Sequence, residues 1–256
     1  MEKRIVHVGK LQLGTSLPTS ALPHAVRPHF LVPLTGTTGD DVIKQAQKAE
    51  TEGVDIAEWR IDFFDKYSSI DSCIDTAQCL VQATHIPILA TFRTKREGGN
   101  ANISAQKYTE LLIQMSKIFP MVDIEVLWEE LNVSALLHSL SPKTITIGSH
   151  HNFSHTPHNL LELFHSIEDA GVDITKIACM PEKQKDVENL LHTTEQAHTE
   201  ICAPIISISM GELGKKSRTH GHLYGSCATF GSLEGASAPG QLDINTLRNE
   251  VAKAHL

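Results

Sequence analysis

The chain has 256 residues, 41% of them hydrophobic and 20% charged, with a formal net charge of −8. That is an ordinary soluble, globular composition: no basic stripe suits nucleic acid or an anionic membrane, no apolar run approaches a membrane span, and Met1-Glu2-Lys3-Arg4 is not followed by the apolar core of a signal peptide. The five scattered cysteines, an odd number without a C-x-x-C pair, read as reduced thiols of a cytoplasmic protein.

In chain order, Arg4 to Val8 and Leu11 to Leu13 read as a hairpin about Gly9-Lys10, and Thr15 to Arg27 as a connecting loop. Short β-branched runs then alternate with amphipathic stretches. Strands are expected at His29–Val32, Val54–Asp62, Ile86–Arg93, Met121–Val126, Thr144–His151, Ile174–Met180, Pro204–Met210 and Tyr224–Phe230. Helices are expected at Asp40–Glu52, Ser69–Thr84, Ser104–Phe119, Glu129–Leu140, Pro157–Ala170, Lys183–His198 and Asp243–Ala254, with only a short segment after the seventh strand. Eight strand–helix units at this length predict an α/β fold, a (β/α)₈ barrel whose N-terminal hairpin closes the bottom. An open doubly wound sheet would carry a glycine-rich turn after its first strand, and there is none. With no internal linker, residues 1–256 read as one catalytic domain, 1–27 being hairpin and loop and 28–256 the barrel.

Charges inside such strands mark the site. Alternation places Ile56, Glu58, Arg60 and Asp62 on one face of the second strand, and Ala57, Trp59 and Ile61 on the other. Both faces of a parallel barrel are covered, so the charged face belongs at the C-terminal mouth, where barrel active sites lie. A structural Glu58–Arg60 ion pair is the alternative. Arg93 ends the third strand and has the planar fork that suits a carboxylate. In Ser149-His150-His151-Asn152-Phe153, His151 shares parity with Ile145, Ile147 and Ser149, which makes it the proton carrier of the pair. A metal set from His150, His151, His155 and His158 lacks helical spacing and carboxylate or thiolate companions.

Lys176 sits within the apolar run Ile174 to Met180. Lysine is seldom buried unless paired or used. Desolvation favours a neutral amine, which can attack a ketone and form an imine; a structural pair with Glu58 or Glu125 is the alternative. Gly211-Glu-Leu-Gly214-Lys215-Lys216-Ser217 mimics a phosphate loop, but only two residues separate its glycines where four are needed.

Together these stretches resemble the type I 3-dehydroquinate dehydratases. The resemblance rests on Glu58-Trp-Arg-Ile-Asp62, Thr91-Phe-Arg93 with Glu97-Gly-Gly99, Asp123-Ile-Glu125-Val126, Ser149-His-His-Asn-Phe153, Lys176-Ile-Ala-Cys-Met-Pro181, Ser209-Met210, Arg218, Gly225 to Phe230 and Ser237-Ala-Pro-Gly-Gln241, in family order over residues 29 to 256. It implies a (β/α)₈ barrel, usually a homodimer, without metal or organic cofactor. It implies that the small molecule 3-dehydroquinate loses water to give 3-dehydroshikimate. Lys176 then looks like the imine-forming lysine, His151 the general acid/base, Glu97 the carboxylate that orients the histidine and Arg218 the clamp on the substrate carboxylate. Glu58, Arg60 and Arg93 look like partners of the ring hydroxyls and of the charge balance. Met210 looks like an apolar contact beside the lysine, and Ser237 and Gln241 like parts of a closing loop. Two positions depart from the pattern: Pro33, where family members carry serine, and Thr146, where an aliphatic residue is expected. A class I aldolase, also a barrel with a lysine on strand six, is the enzymatic competitor. A degenerate barrel that only binds a ligand is the non-enzymatic one.

Overall fold

The structure, a computed structural model, describes residues 3–22, 26–235 and 237–254. Strands β1 (Val6–Val8) and β2 (Leu11–Leu13) pair antiparallel with Val8 opposite Leu11. Their turn has a positive φ at Gly9 and at no neighbouring residue, the signature of a type II′ hairpin turn. Residues 23–25 of the connecting loop lie outside the described residues.

Eight parallel strands follow: β3 (His29–Leu34), β4 (Ile56–Arg60), β5 (Ile88–Thr91), β6 (Met121–Glu125), β7 (Ile145–Asn152), β8 (Ile174–Cys179), β9 (Ile205–Ser209) and β10 (Ala228–Phe230). They pair in chain order, β10 returns beside β3, and a parallel bridge between Ile205 and Ser226 closes the barrel. Helices α1 (Gly39–Thr51), α2 (Ile70–Ala83), α3 (Ala105–Ser116), α4 (Val133–Ser139), α5 (Leu160–Asp169), α6 (Gln184–Glu200), α7 (Lys215–His220) and α8 (Ile244–Lys253) cover the outside. The expected barrel is thus the observed one. Several boundaries shift by a few residues: the eighth strand, expected from Tyr224, begins at Ala228 because Gly221–Tyr224 forms a 3₁₀ turn, and the fifth helix, expected from Pro157, begins at Leu160. The fourth helix begins at Val133 rather than Glu129 because the Asn132 side chain caps it by accepting from Ala135 N–H. The second strand stops at Arg60, and Asp62 lies in a 3₁₀ turn, Ile61–Phe63, rather than on the strand.

Strand alternation splits the core in two. Ala57, Trp59, Val122, Ile124, Ile177 and Cys179 face the helices. Leu31, Ile56, Leu89, Met121, Ile147, Ile174, Ile206 and Ala228 fill the lower interior, sealed from below by Val6, Val8 and Leu13 of the hairpin. Each of the buried Val, Leu, Ile and Met side chains among them contributes about 1.5–3 kcal/mol. The register lifts the next interior residues of the central strands, Glu58, Asp123, Ser149 and Lys176, onto this apolar floor.

Pro33 is tolerated within β3 by the same geometry. His29 N–H bonds the Cys227 carbonyl and Leu31 accepts from Gly231 N–H, so odd-numbered backbone groups of β3 point toward β10. That pairing ends at Leu31 opposite Phe230, so the missing N–H of Pro33 costs no ladder bond. Thr146 is explained by Asp173, whose carboxylate accepts from both its N–H and its hydroxyl at 2.9 Å.

Candidate active site

At the C-terminal mouth all ten candidate residues line one cavity: Lys176, His151, Glu97, Glu58, Arg60, Arg93, Met210, Arg218, Ser237 and Gln241. It spans about 520 Å³ with its open mouth included. Lys176, 3% exposed, holds its Nζ 3.2 Å from Asp123 Oδ2, 3.5 Å from Glu58 Oε1 and 4.6 Å from the Phe230 ring centre. Its partners are therefore Glu58 and Asp123, not Glu125. Thr91 Oγ1 donates to the same Glu58 oxygen at 3.0 Å and fixes that carboxylate.

Arg93 is the hub on the opposite side. Its guanidinium reaches Glu97 at 3.2 Å, Glu125 at 3.1 Å and the Ser149 hydroxyl at 3.0 Å, and also bonds Asp123. Burial alone would weaken such a cation, but Asp123, Glu125 and Glu97 overcome it and raise its pKa well above the ordinary value. With its fork engaged by this chain's own carboxylates, Arg93 sets the charge balance and is not open to a substrate carboxylate. Glu58 and Arg60 form no pair; Arg60 binds Asp62 through two bonds of 2.8 Å.

Asp123 is the residue that sequence reasoning missed. It is fully buried between Lys176 and Arg93; burial opposes its charge, yet these two cations hold its carboxyl below the usual range. The signal was present: alternation along Met121 to Glu125 puts both acids on the interior face.

Glu97 reaches His151 because two glycines let its turn fold tightly. Gly98 has a φ of +77, and a Cβ there would lie 2.2 Å from the Phe153 ring; a Cβ on Gly99 would lie 1.8 Å from the Arg93 carbonyl. Glu97 Oε2 accepts from His151 Nδ1 at 3.0 Å and from its backbone N–H at 3.0 Å. A carboxylate only accepts, so Nδ1 carries the proton and Nε2 keeps its lone pair. Burial first, then the charges of Arg93 and Lys176, pull the His151 pKa to about 3 against the opposing effect of Glu97. Burial would raise Glu97, but hydrogen bonds from His150 and His151 and the Arg93 charge hold it low.

A pH dependence of stability follows. An unfolded histidine titrates near 6.5, so between that value and about 3 the unfolded chain binds a proton that folded His151 refuses. Stability must fall with pH across this window. The lowered carboxyls Glu97 and Asp123 add a further loss once pH drops below about 4, the ordinary carboxylate value. Urea midpoints should therefore decline from pH ~6.5 downward, and His151→Gln should flatten the upper part of that decline. A wild-type midpoint that stays level down to about pH 4.5 would contradict it.

Arg218 sits in α7, not in a loop, and is 2% exposed. Its guanidinium meets only the carbonyls of Phe230 at 3.4 Å and Pro239 at 3.1 Å, and among the described residues it has no carboxylate partner. Burial pulls its pKa to about 10, still far above neutrality. The helix itself is tied down by Ser217, whose Oγ accepts from Ser209 N–H at 2.8 Å, so the phosphate-loop look-alike is a structural junction. Ser237 and Gln241 lie over the mouth, where the Gln241 side-chain oxygen accepts from Ser237 N–H at 2.7 Å. His150 and His151 turn toward Glu97 and His155 bonds Ser154; among the described residues no three His, Cys, Asp or Glu side chains are arranged around a metal site.

The chain and its barrel have known counterparts. A 3-dehydroquinate dehydratase of Clostridium kluyveri is 37% identical over 251 residues, 95% of this chain and 94% of its own. One from Enterococcus faecalis is 35% identical over 229 residues, 87% and 90% of the two chains. The crystal structure of the Geobacillus kaustophilus 3-dehydroquinate dehydratase matches with a TM-score of 0.90 at 29% identity, covering 98% of this chain and 96% of that one. The type I enzyme of Clostridium difficile, solved with covalently modified comenic acid, matches at 0.90 and 32% identity over 99% and 98%. With the type I 3-dehydroquinase profile matching residues 30–254 as well, the chain belongs to the type I 3-dehydroquinase family.

Proposed function

We propose that this chain removes water from 3-dehydroquinate to give 3-dehydroshikimate, the hydro-lyase step of the shikimate pathway, through an imine on Lys176. The observation that carries the reading is the convergence in one cavity of a buried lysine amine, a neutral histidine held by a carboxylate, and a buried arginine with no carboxylate partner among the described residues. The Clostridium difficile relative, solved with covalently modified comenic acid, supports a covalent step.

The roles follow from the contacts. The Lys176 amine attacks the substrate ketone and water leaves, giving a protonated imine. Asp123 and Glu58 face that cation as they face the ammonium, so charge is retained through the step. The imine acidifies the adjacent C–H, and Nε2 of His151 takes the proton while Glu97 stabilises the imidazolium through Nδ1–H. The same imidazolium returns the proton to the departing hydroxyl, which leaves as water. Hydrolysis of the imine restores Lys176, so the net change is the loss of one water. Glu58 and Arg60 meet ring hydroxyls, Met210 packs beside the lysine, and Ser237 and Gln241 close over the substrate. No metal or organic cofactor is called for. Pro33 lacks the hydroxyl that the family pattern implies there, and its register neighbour Glu58, fixed by Thr91, supplies a polar group beside it. The free thiols and the family resemblance support a cytoplasmic homodimer.

Arg218 is the carboxylate clamp: its present partners are neutral carbonyls, which a carboxylate outcompetes by charge-assisted bonding. That grip exists in ground and transition states alike, so Arg218→Ala should raise KM roughly 10- to 100-fold with a much smaller change in kcat. An unchanged KM for 3-dehydroquinate would remove the clamp. Turnover of a sugar phosphate in place of 3-dehydroquinate would favour an aldolase, and turnover of neither would leave a binding barrel.

A further inference from the structure

Glu97 accepts four hydrogen bonds, and one comes from a residue outside the proposed machinery. Three donors meet on Oε2: Arg93 at 3.2 Å, the His151 backbone N–H at 3.0 Å and His151 Nδ1 at 3.0 Å. The fourth, His150 Nδ1, reaches Oε1 at 3.2 Å and is the only described donor to that oxygen. Adjacent strand residues point to opposite faces, so His150 was expected to turn away from the mouth. Instead the two histidines straddle the Glu97 carboxylate.

Resting on the reading in which His151 moves the protons, we infer that His150 is a second positioning residue of the proton-transfer pair, which locks the rotation of the Glu97 carboxylate and through it the His151 tautomer. The terminal torsion of a glutamate is soft and nearly two-fold. Donors gathered on one oxygen leave the carboxylate free to swing about that oxygen. A donor on the second oxygen stops the swing. It also completes the roughly four acceptor positions a carboxylate offers. A carboxylate that stays in plane keeps Nδ1–H of His151 engaged and Nε2 bare. One that swings lets the proton migrate to Nε2, where the ring can no longer act as base. Glu97 is 6% exposed, so water is a poor substitute for the lost donor.

The test compares His150→Leu, which removes the donor, with His150→Asn, whose side-chain N–H takes the place of Nδ1–H. His150 lies near the open end of β7 and is partly exposed, so both variants should keep the wild-type Tm within a few degrees. His150→Leu should lose about tenfold in kcat with KM within about twofold, the pattern of a defect in proton transfer rather than binding; His150→Asn should recover most of it. Ring-nitrogen NMR shifts of His151 should report one Nδ1–H tautomer in the wild type and the Asn variant and a mixture in the Leu variant. Wild-type kcat in His150→Leu, an unmoved His151 tautomer, or an Asn variant no better than Leu each overturns the inference. The NMR comparison reads the pair without turnover, so it stands even if 3-dehydroquinate proves not to be the substrate. Borohydride trapping on Lys176 in the same variants separates that failure from this one.

Discussion

Replacing Lys176 by alanine should reduce turnover of 3-dehydroquinate to background, a loss on the order of 10⁴-fold or more, as expected when a covalent nucleophile is removed. The effect combines two losses that a second variant separates. Lys176 carries the amine, but it is also the cation between Asp123 and Glu58. Removing it leaves Glu58 as a buried carboxylate whose remaining described donor is Thr91, an arrangement that costs stability. Asp123 fares better because Arg93 still holds it. Lys176→Arg keeps the positive charge, so it should retain more of the wild-type Tm than alanine does. A guanidinium stays protonated at neutral pH and forms no imine, so the arginine variant should be equally inactive. Activity that survives in either variant would place the chemistry elsewhere.

His151→Ala is the second large effect. Loss of the general acid/base should lower kcat by about 10²–10⁴-fold, and further where imine formation and release also depend on the ring. In the proposed reading the substrate is held by Arg218 and the ring-hydroxyl partners, so KM should move little. The damage must exceed that of any change at His150, because His151 lines the cavity while the His150 ring acts through its bond to Glu97. A His150→Ala enzyme slower than His151→Ala would exchange the two assignments. The carboxylate behind the histidine should follow the same pattern at smaller scale, since Glu97 acts by holding the ring.

The barrel was legible because its signals are local and periodic. Alternating β-branched runs and amphipathic stretches fix the order of strands and helices, and period-two alternation tells interior from exterior. It separates Glu58 from Trp59 in β4 and Lys176 from Ile177 in β8, as the two halves of the core show. What alternation could not supply was pairing. Glu58 and Arg60 lie on one face of the same strand, yet each takes another partner. Arg60 turns to Asp62 because the chain bends into a 3₁₀ turn at Ile61, and Glu58 turns across the barrel to Lys176. Arg93 read as open to a carboxylate, but Glu97 from its own turn and Asp123 and Glu125 from β6 converge on it, a fact of tertiary closure. Asp123 was visible in the alternation of β6 and was overlooked because its neighbour Glu125 offered the same chemistry. His150 was set aside by a parity rule that holds within a strand and weakens at its mouth, where a folded turn brings Glu97 across the strand end. Arg218 fell in a stretch too short to read as a helix, and α7 has only six residues. That no described carboxylate pairs with it is visible only in the closed barrel.

Reductive trapping asks whether Lys176 forms an imine with 3-dehydroquinate. Borohydride added to enzyme turning over 3-dehydroquinate reduces the C=N bond to a stable secondary amine, and mass spectrometry of the digest locates it. One adduct is expected, on the peptide spanning Ile174 to Pro181, with parallel loss of activity. An unmodified Lys176 peptide in inactivated enzyme, or an adduct on Lys215 or Lys216 instead, would contradict it.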